Sequence, residues 1–456
     1  MLWFCLFSFR VILCFLMQFT KKISSIIKLL FTIMYRSLFI LLPFVLFLSL
    51  SPCVGQDIES IGRSLVKKYL GSTDEEEQRD ALKNLVGLKV SIDKIKEWVS
   101  FSASYTPQQA GIHRKLVPVG DKKGECFVYL PSDYSPDRQW PVVLALHGVG
   151  GSGYGQIMAW LRSSMHKDDF IFIAPTYGSG LWWSEEGETI ILSAINKAKQ
   201  DYHLDTNKIY MSGFSSGGHG VWYLAIRYPS LFAAINPVAG ECPLSSLLIN
   251  LMHVPAYIIH GVRDTVIPVE AARDANSRLE RLHYKVICRE LPELKHQFPM
   301  NETGRVLEWF LTNKRTRYPK KIKYSTESTR YSVAYWAEIT EFSGLIRQTS
   351  GVPRNVPGHL MRPEGFPVTA SVEAEIKEEN NEIWLTTHEI KTLRLYLADE
   401  LVDMEKPLKI LVNGKSIYSG KIERNIRTIL DSVKKMNDQE ALFSAYIDLT
   451  IPSDDQ

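Results

Sequence analysis

Between residues 125 and 311 the chain alternates two hydrophobic patterns. Short unbroken apolar runs, Glu125–Leu130, Pro141–Leu146, Asp169–Ala174, Ile209–Met211, Ala233–Val238, Ala256–His260 and Tyr284–Leu291, are separated by stretches whose apolar residues recur at helical spacing. A run without polar interruption predicts a strand covered on both faces, which is the habit of parallel sheets. The intervening segments predict helices over 188–202, 218–228, 269–281 and 303–311. Strand and helix in regular alternation give an α/β domain: a doubly wound, mostly parallel sheet with helices on both faces.

The pattern differs on either side. From Asp57 to about Ser104, charged residues mix with apolar ones at helical spacing (Ile61, Leu65, Tyr69; Leu82, Leu85, Val86), broken at Gly71-Ser-Thr-Asp74. This predicts a helical hairpin over 56–107, either packed on the main domain or serving as a spacer. After residue 330 the composition turns to alternating strands, at 368–376, 382–386, 393–397, 408–412 and 415–418, with one helix at 425–435 and a last strand at 441–449. Asn413-Gly414 is a two-residue hairpin signal. The organisation expected is a leader (1–55), the hairpin (56–107), the α/β domain (108–313), a basic linker (314–330) and a β-rich accessory domain (331–456). Lys314-Arg-Thr-Arg-Tyr-Pro-Lys-Lys-Ile-Lys323 is read as solvated.

The first 55 residues carry two apolar blocks, Leu2–Phe19 and Leu38–Leu50, with Lys21, Lys22, Lys28 and Arg36 between them. The second block has the charged and apolar regions of an export signal, with a cleavage point after Gly55. Met34 is then an alternative start. A retained membrane anchor is the competing reading, since Leu2–Phe19 approaches spanning length. Pro52 argues against lipidation at Cys53. Either way the protein is expected to be exported, to the periplasm or the exterior. Of six cysteines, Cys5, Cys14 and Cys53 lie in the leader. Cys126, Cys242 and Cys288 are left, an odd number without metal spacing, and are read as buried thiols with one disulfide pairing open. A net charge of +3, without a basic stripe, gives no reason to expect a nucleic-acid partner.

Candidate chemistry gathers at strand ends. Gly213-Phe-Ser-Ser-Gly217 places Ser215 in a glycine-crowded corner between a strand and a helix, where a hydroxyl is held up beside the positive helix end. A serine needs a base and an orienting acid to act as a nucleophile. Asp264 lies in the loop after the 256–260 strand, and His296 lies past the 284–291 strand. All three then reach one edge of the sheet. His219, on the helix after the corner, is expected to point away. Leu146-His-Gly-Val-Gly-Gly-Ser152 supplies backbone N–H groups: Val149 (or Gly148) with Ser216 would form an oxyanion hole. A phosphate-binding reading of this loop lacks the Lys-Ser/Thr that should follow. Gly148 is also expected against substrate, and Trp182 and Trp183 are candidate walls of an acyl or aromatic pocket, with packing into the core as their competing fate.

Taken together, His147-Gly148-x-Gly150-Gly151, Gly213-x-Ser215-x-Gly217-Gly218, His260-Gly261-x-x-Asp264-x-x-x-Pro268 and His296 resemble the α/β-hydrolase superfamily. Within it the chain is similar to the esterase and polyhydroxybutyrate-depolymerase-like branch and to prolyl-oligopeptidase-type peptidases. The resemblance covers about 110–312. It implies a serine hydrolase that cleaves carboxylic esters, small or polymeric, through an acyl-enzyme, with no cofactor and no metal. Two rivals stand beside it. One is a peptidase using the same three residues. The other is a non-catalytic envelope protein whose β-rich domain binds a polymer or another protein.

Overall fold

The computed structural model describes residues 58–100, 105–162, 165–242, 244–344, 346 and 369–452. The leader, with its cleavage point, Met34 and its three cysteines, lies outside them. By packing, the chain divides into Met1–Leu65 and Val66–Gln456. In the first unit residues 58–65 are helical, and Arg63 Nε donates to Glu59 Oε1 at 2.7 Å. Everything below concerns the second.

That unit opens with helical residues 66–71 (α1), then α2 (Glu75–Gly87) and α3 (Ile92–Ser100). Asp74, rather than Ser72 or Thr73, caps α2, its side chain accepting from the Glu76 N–H. There follow β1 (Gly111–Val119), β2 (Lys122–Leu130), β3 (Trp140–Leu146), α4 (Gly153–Leu161), β4 (Ile171–Thr176), α5 (Glu185–Asp201), β5 (Leu204–Phe214), α6 (Ser216–Arg227), β6 (Ala234–Val238), β7 (Ala256–Gly261), α7 (Glu270–Arg281), β8 (Val286–Leu291) and α8 (Thr303–Leu311). These eight strands form one sheet in the order β1-β2-β4-β3-β5-β6-β7-β8. β1, β2 and the β2–β4 pairing are antiparallel. From β4 through β8 the pairings are parallel.

Burial follows the predicted pattern. β3, β4 and β6 are covered almost end to end, and alternate residues feed two cores, one on each face: Leu144, Met211 and Ile258 on one, Val143, Tyr210 and Ile259 on the other. β1 was not predicted. It is half-exposed at the sheet edge, so His113, Arg114 and Lys115 break its apolar signal. α4 was missed as well, because it starts in a glycine-rich stretch.

The rest of the unit is a β-sandwich. β9 (Lys321–Thr326), β10 (Val333–Ala334), β11 (Ala337–Phe342), β12 (Ala370–Lys377), β13 (Glu382–His388), β14 (Ile390–Leu397), β15 (Leu408–Val412), β16 (Lys415–Gly420), α9 (Ile426–Met436) and β17 (Ala445–Thr450) build two sheets. These are β10-β11-β14-β17 and β16-β15-β13-β12-β9, and their inner faces share one core. Asn413 and Gly414 both have positive φ, 49° and 83°, as the tight turn between β15 and β16 requires.

The basic segment differs from the expected solvated linker. Its second half is β9, paired with β12, and Arg315 is buried in an ion pair with Asp438. Charge alone hid this, since a salt-bridged arginine reads like a solvated one. Further ties are made by Glu188 on α5. It is fully buried and accepts from Tyr228 and Tyr331 hydroxyls at 2.8 Å each and from Arg330 Nη2 at 2.9 Å. α3 rests on the sandwich side through Lys96–Asp399 at 2.9 Å, and Lys434 on α9 donates to Ser72 O at 2.7 Å. The three cysteines of this unit are free, and burial raises the Cys126 and Cys242 thiols to about 12.

Candidate active site

Because β3, β5, β7 and β8 run parallel, the loops that follow them open on one edge. The corner after β5 is tight. A Cβ added to Gly213 would lie 2.3 Å from Gly217 O, and one on Gly217 would lie 2.3 Å from Leu146 O. Both positions therefore exclude side chains. The corner leaves Ser215 at φ 55° and ψ −117°, a conformation that costs about 1–3 kcal/mol for a non-glycine residue. Its N–H is held by Val238 O at 2.9 Å.

His296 arrives in the loop after β8. Its Nε2 is 2.8 Å from Ser215 Oγ and its Nδ1 is 2.7 Å from Asp264 Oδ2. The Asp264 carboxylate is shut off from solvent. Its other oxygen accepts the N–H groups of Val266 and Ile267 at 2.8 and 2.9 Å. This carboxylate is therefore fully hydrogen-bonded and its geometry fixed. His260 stands beside it, Nε2 at 3.6 Å from Oδ2, donating to Ile267 O at 2.9 Å and so securing the same loop. Phe214 packs on the His296 ring, centroids 5.0 Å apart. Periodicity and chain order assign no role to Phe214 or His260; an aromatic beside the serine and a histidine on the strand before the acid are the available signals.

Of the loop after β3, Val149 is exposed and Gly148 partly so. Gly150 and Gly151 donate to Gly178 O and Gly148 O at 2.9 and 3.0 Å. At Gly148 a Cβ would meet Phe214 and the Ser215 Cβ at 3.2 and 3.4 Å, so this backbone borders the serine directly. His147 is buried and braces the loop. Its Nδ1 donates to Gly148 O at 2.6 Å, and its Nε2 accepts from the Tyr177 N–H at 3.0 Å. Burial lowers its pKa, which suits this neutral tautomer. The Ser216 N–H opens α6, where no intrahelical acceptor exists.

The tryptophan pair separates. Trp182 is fully buried, its Nε1 donates to His147 O at 2.8 Å, and it fills space against Gly220. It is a core residue and not a pocket wall: the indole finds both an apolar bed and an acceptor there. Trp183 is partly exposed and stacks on His219, centroids 5.1 Å apart. His219 does not point away. It is buried and its Nδ1 lies 2.8 Å from Ser215 O. Among the described residues no group of three or more His, Cys, Asp or Glu side chains is placed to hold a metal ion.

Residues 186–313 match the phospholipase/carboxylesterase family model. The chain is 25% identical over 180 residues to the bifunctional acetylxylan esterase/xylanase XynS20E of Neocallimastix patriciarum, covering 38% of this chain and 26% of that one. It is 31% identical over 156 residues to feruloyl esterase B of Thermothelomyces thermophilus, covering 31% and 53%. The chain thus spans about half of that esterase and about a quarter of the bifunctional enzyme. A solved thermostable esterase is similar at 24% identity with TM-score 0.40, over 45% of this chain and 63% of the other. The sheet order β1-β2-β4-β3-β5-β6-β7-β8 with the serine corner after β5 is that of an α/β-hydrolase fold, and within it residues 186–313 are similar to the phospholipase/carboxylesterase family.

Proposed function

We propose that the chain is an exported serine hydrolase that cleaves carboxylic esters through an acyl-enzyme. The observation that carries this reading is the His296 imidazole, bridging Ser215 and Asp264 at 2.8 and 2.7 Å. In this reading Nε2 takes the Ser215 proton as Oγ attacks the ester carbonyl, and then returns it to the leaving alkoxide. Water repeats the sequence on the acyl-serine. Asp264 holds the tautomer with Nδ1 protonated and offsets the charge on the imidazolium. The N–H groups of Val149 and Ser216 receive the developing oxyanion, the first from an open loop and the second from a helix N-terminus. Trp183 and Gly148 remain candidates to contact the acyl group.

The names feruloyl esterase and acetylxylan esterase put feruloyl esters and acetylated xylan first among the esters to assay. Export rests on the charged and apolar pattern of residues 1–55; the β-sandwich is assigned to binding a polymer or another protein. The test is turnover of acetylated, feruloylated and hydroxyalkanoate esters beside aminoacyl amides, with Ser215→Ala as control. Ester cleavage lost by about 10⁴-fold or more in that variant, with a fluorophosphonate label on Ser215 alone, supports the reading. Retained turnover, or a label elsewhere, overturns it, and preference for the amides would make the chain a peptidase.

A further inference from the structure

The carbonyl oxygen of Ser215 accepts two hydrogen bonds from one residue. The backbone N–H of His219 donates at 3.1 Å, as in any first helical turn, and the Nδ1 of the same residue donates at 2.8 Å. A carbonyl can only accept, so Nδ1 carries the ring proton. The ring is 3% exposed and stacked on Trp183 with 25° between planes. Burial lowers its pKa to about 4, which keeps it uncharged at neutral pH. Both lone pairs of the Ser215 carbonyl are thus taken by His219, one by its backbone N–H and one by a ring that has little freedom to move.

The consequence lies on the other side of the peptide bond. The Ser215 C=O and the Ser216 N–H belong to one rigid trans unit and point in opposite directions. Whatever fixes the oxygen fixes the hydrogen. At φ 55° and ψ −117° the Ser215 backbone sits in no broad well, so the plane of this peptide needs restraint from outside. Hydrogen bonds accepted at the oxygen also polarise the amide, strengthening its N–H as a donor by about 10–30% per bond.

We propose that His219 is a positioning residue, whose paired hydrogen bonds to Ser215 O lock the Ser215–Ser216 peptide with the Ser216 N–H aimed at the oxyanion. This rests on the serine-hydrolase reading above and assigns to Trp183 the task of bracing the His219 ring.

The test compares the full chain with His219→Phe and His219→Asn. Phenylalanine keeps the stacked ring and removes the Nδ1 donor; asparagine restores an N–H near the same place. Kinetics on a p-nitrophenyl ester and on its thionoester, whose sulfur accepts hydrogen bonds poorly, are read beside the melting temperature. Deleting a direct oxyanion donor costs about 10²–10³-fold, so loosening one predicts a smaller loss in kcat for His219→Phe, about 10- to 100-fold, with KM within about twofold. The preference for oxoester over thionoester should shrink with it, and His219→Asn should recover most of both. A wild-type oxo/thiono ratio in His219→Phe overturns the proposal, whether kcat is unchanged or falls only in step with the folded fraction. Activity surviving in Ser215→Ala would sink the underlying reading instead, and the two failures are therefore distinct.

Discussion

Oδ2 of Asp264 lies 2.7 Å from Nδ1 of His296, and its Oδ1 is held by the N–H groups of Val266 and Ile267 at 2.8 and 2.9 Å. The acid is thus pinned by its own loop before the imidazole reaches it. Asp264→Asn keeps that anchoring but presents an N–H donor or a weak acceptor to the ring, favouring the wrong tautomer. The expected outcome is a fall in kcat of about 10⁴-fold with the fold intact. Steady-state kinetics with a circular dichroism melt check it; a loss under tenfold would remove Asp264 from the proposed catalyst.

Trp182 should behave as a structural residue. Trp182→Phe removes the bond to His147 O and leaves that buried carbonyl without its indole donor, a cost of about 1–3 kcal/mol. KM for small esters should stay within about twofold while the denaturation midpoint drops. A large rise in KM with unchanged stability would restore Trp182 to the pocket.

The buried pair Arg315–Asp438 predicts an asymmetric result. Burial opposes charge on Asp438, yet the Arg315 guanidinium and its hydrogen bonds outweigh it and hold the carboxyl well below the usual range. Asp438→Asn strands the guanidinium and should destabilise by about 3–5 kcal/mol, whereas the double variant Arg315→Met with Asp438→Leu should be close to neutral. Urea titrations of the parent chain and these two variants decide it.

Acid stability carries the mark of His219. Its pKa is lowered to about 4 by burial first, with the charges of His296 and His260 adding to the effect while its bond to Ser215 O opposes it. In the unfolded chain the ring titrates near the ordinary value of about 6.5. Above that pH neither state binds the proton and nothing is lost. As pH falls from about 6.5 to about 4 the unfolded state takes up a proton that the folded state refuses, so stability drops, by at most about 3 kcal/mol over the window. Unfolding free energies at pH 7 and pH 4.5 should therefore differ less in His219→Phe than in the parent chain. Parallel curves would contradict the assignment.

The apolar runs at 141–146, 233–238 and 256–260 were enough to read a parallel sheet, because strands covered on both faces need no polar residues. The spacing of Gly213, Ser215 and Gly217 marked the corner, since a Cβ at either glycine would lie 2.3 Å from a backbone oxygen, which admits nothing larger than glycine. Chain order pointed to Asp264 and His296. Tertiary contact alone separated Trp182 from Trp183, which stacks on the His219 ring, and it also drew Arg315 out of a basic run into a buried pair. Periodicity reports how one residue relates to solvent, and each of these outcomes depends on a partner remote in the chain: His147 is 35 positions from Trp182, and Asp438 is 123 from Arg315.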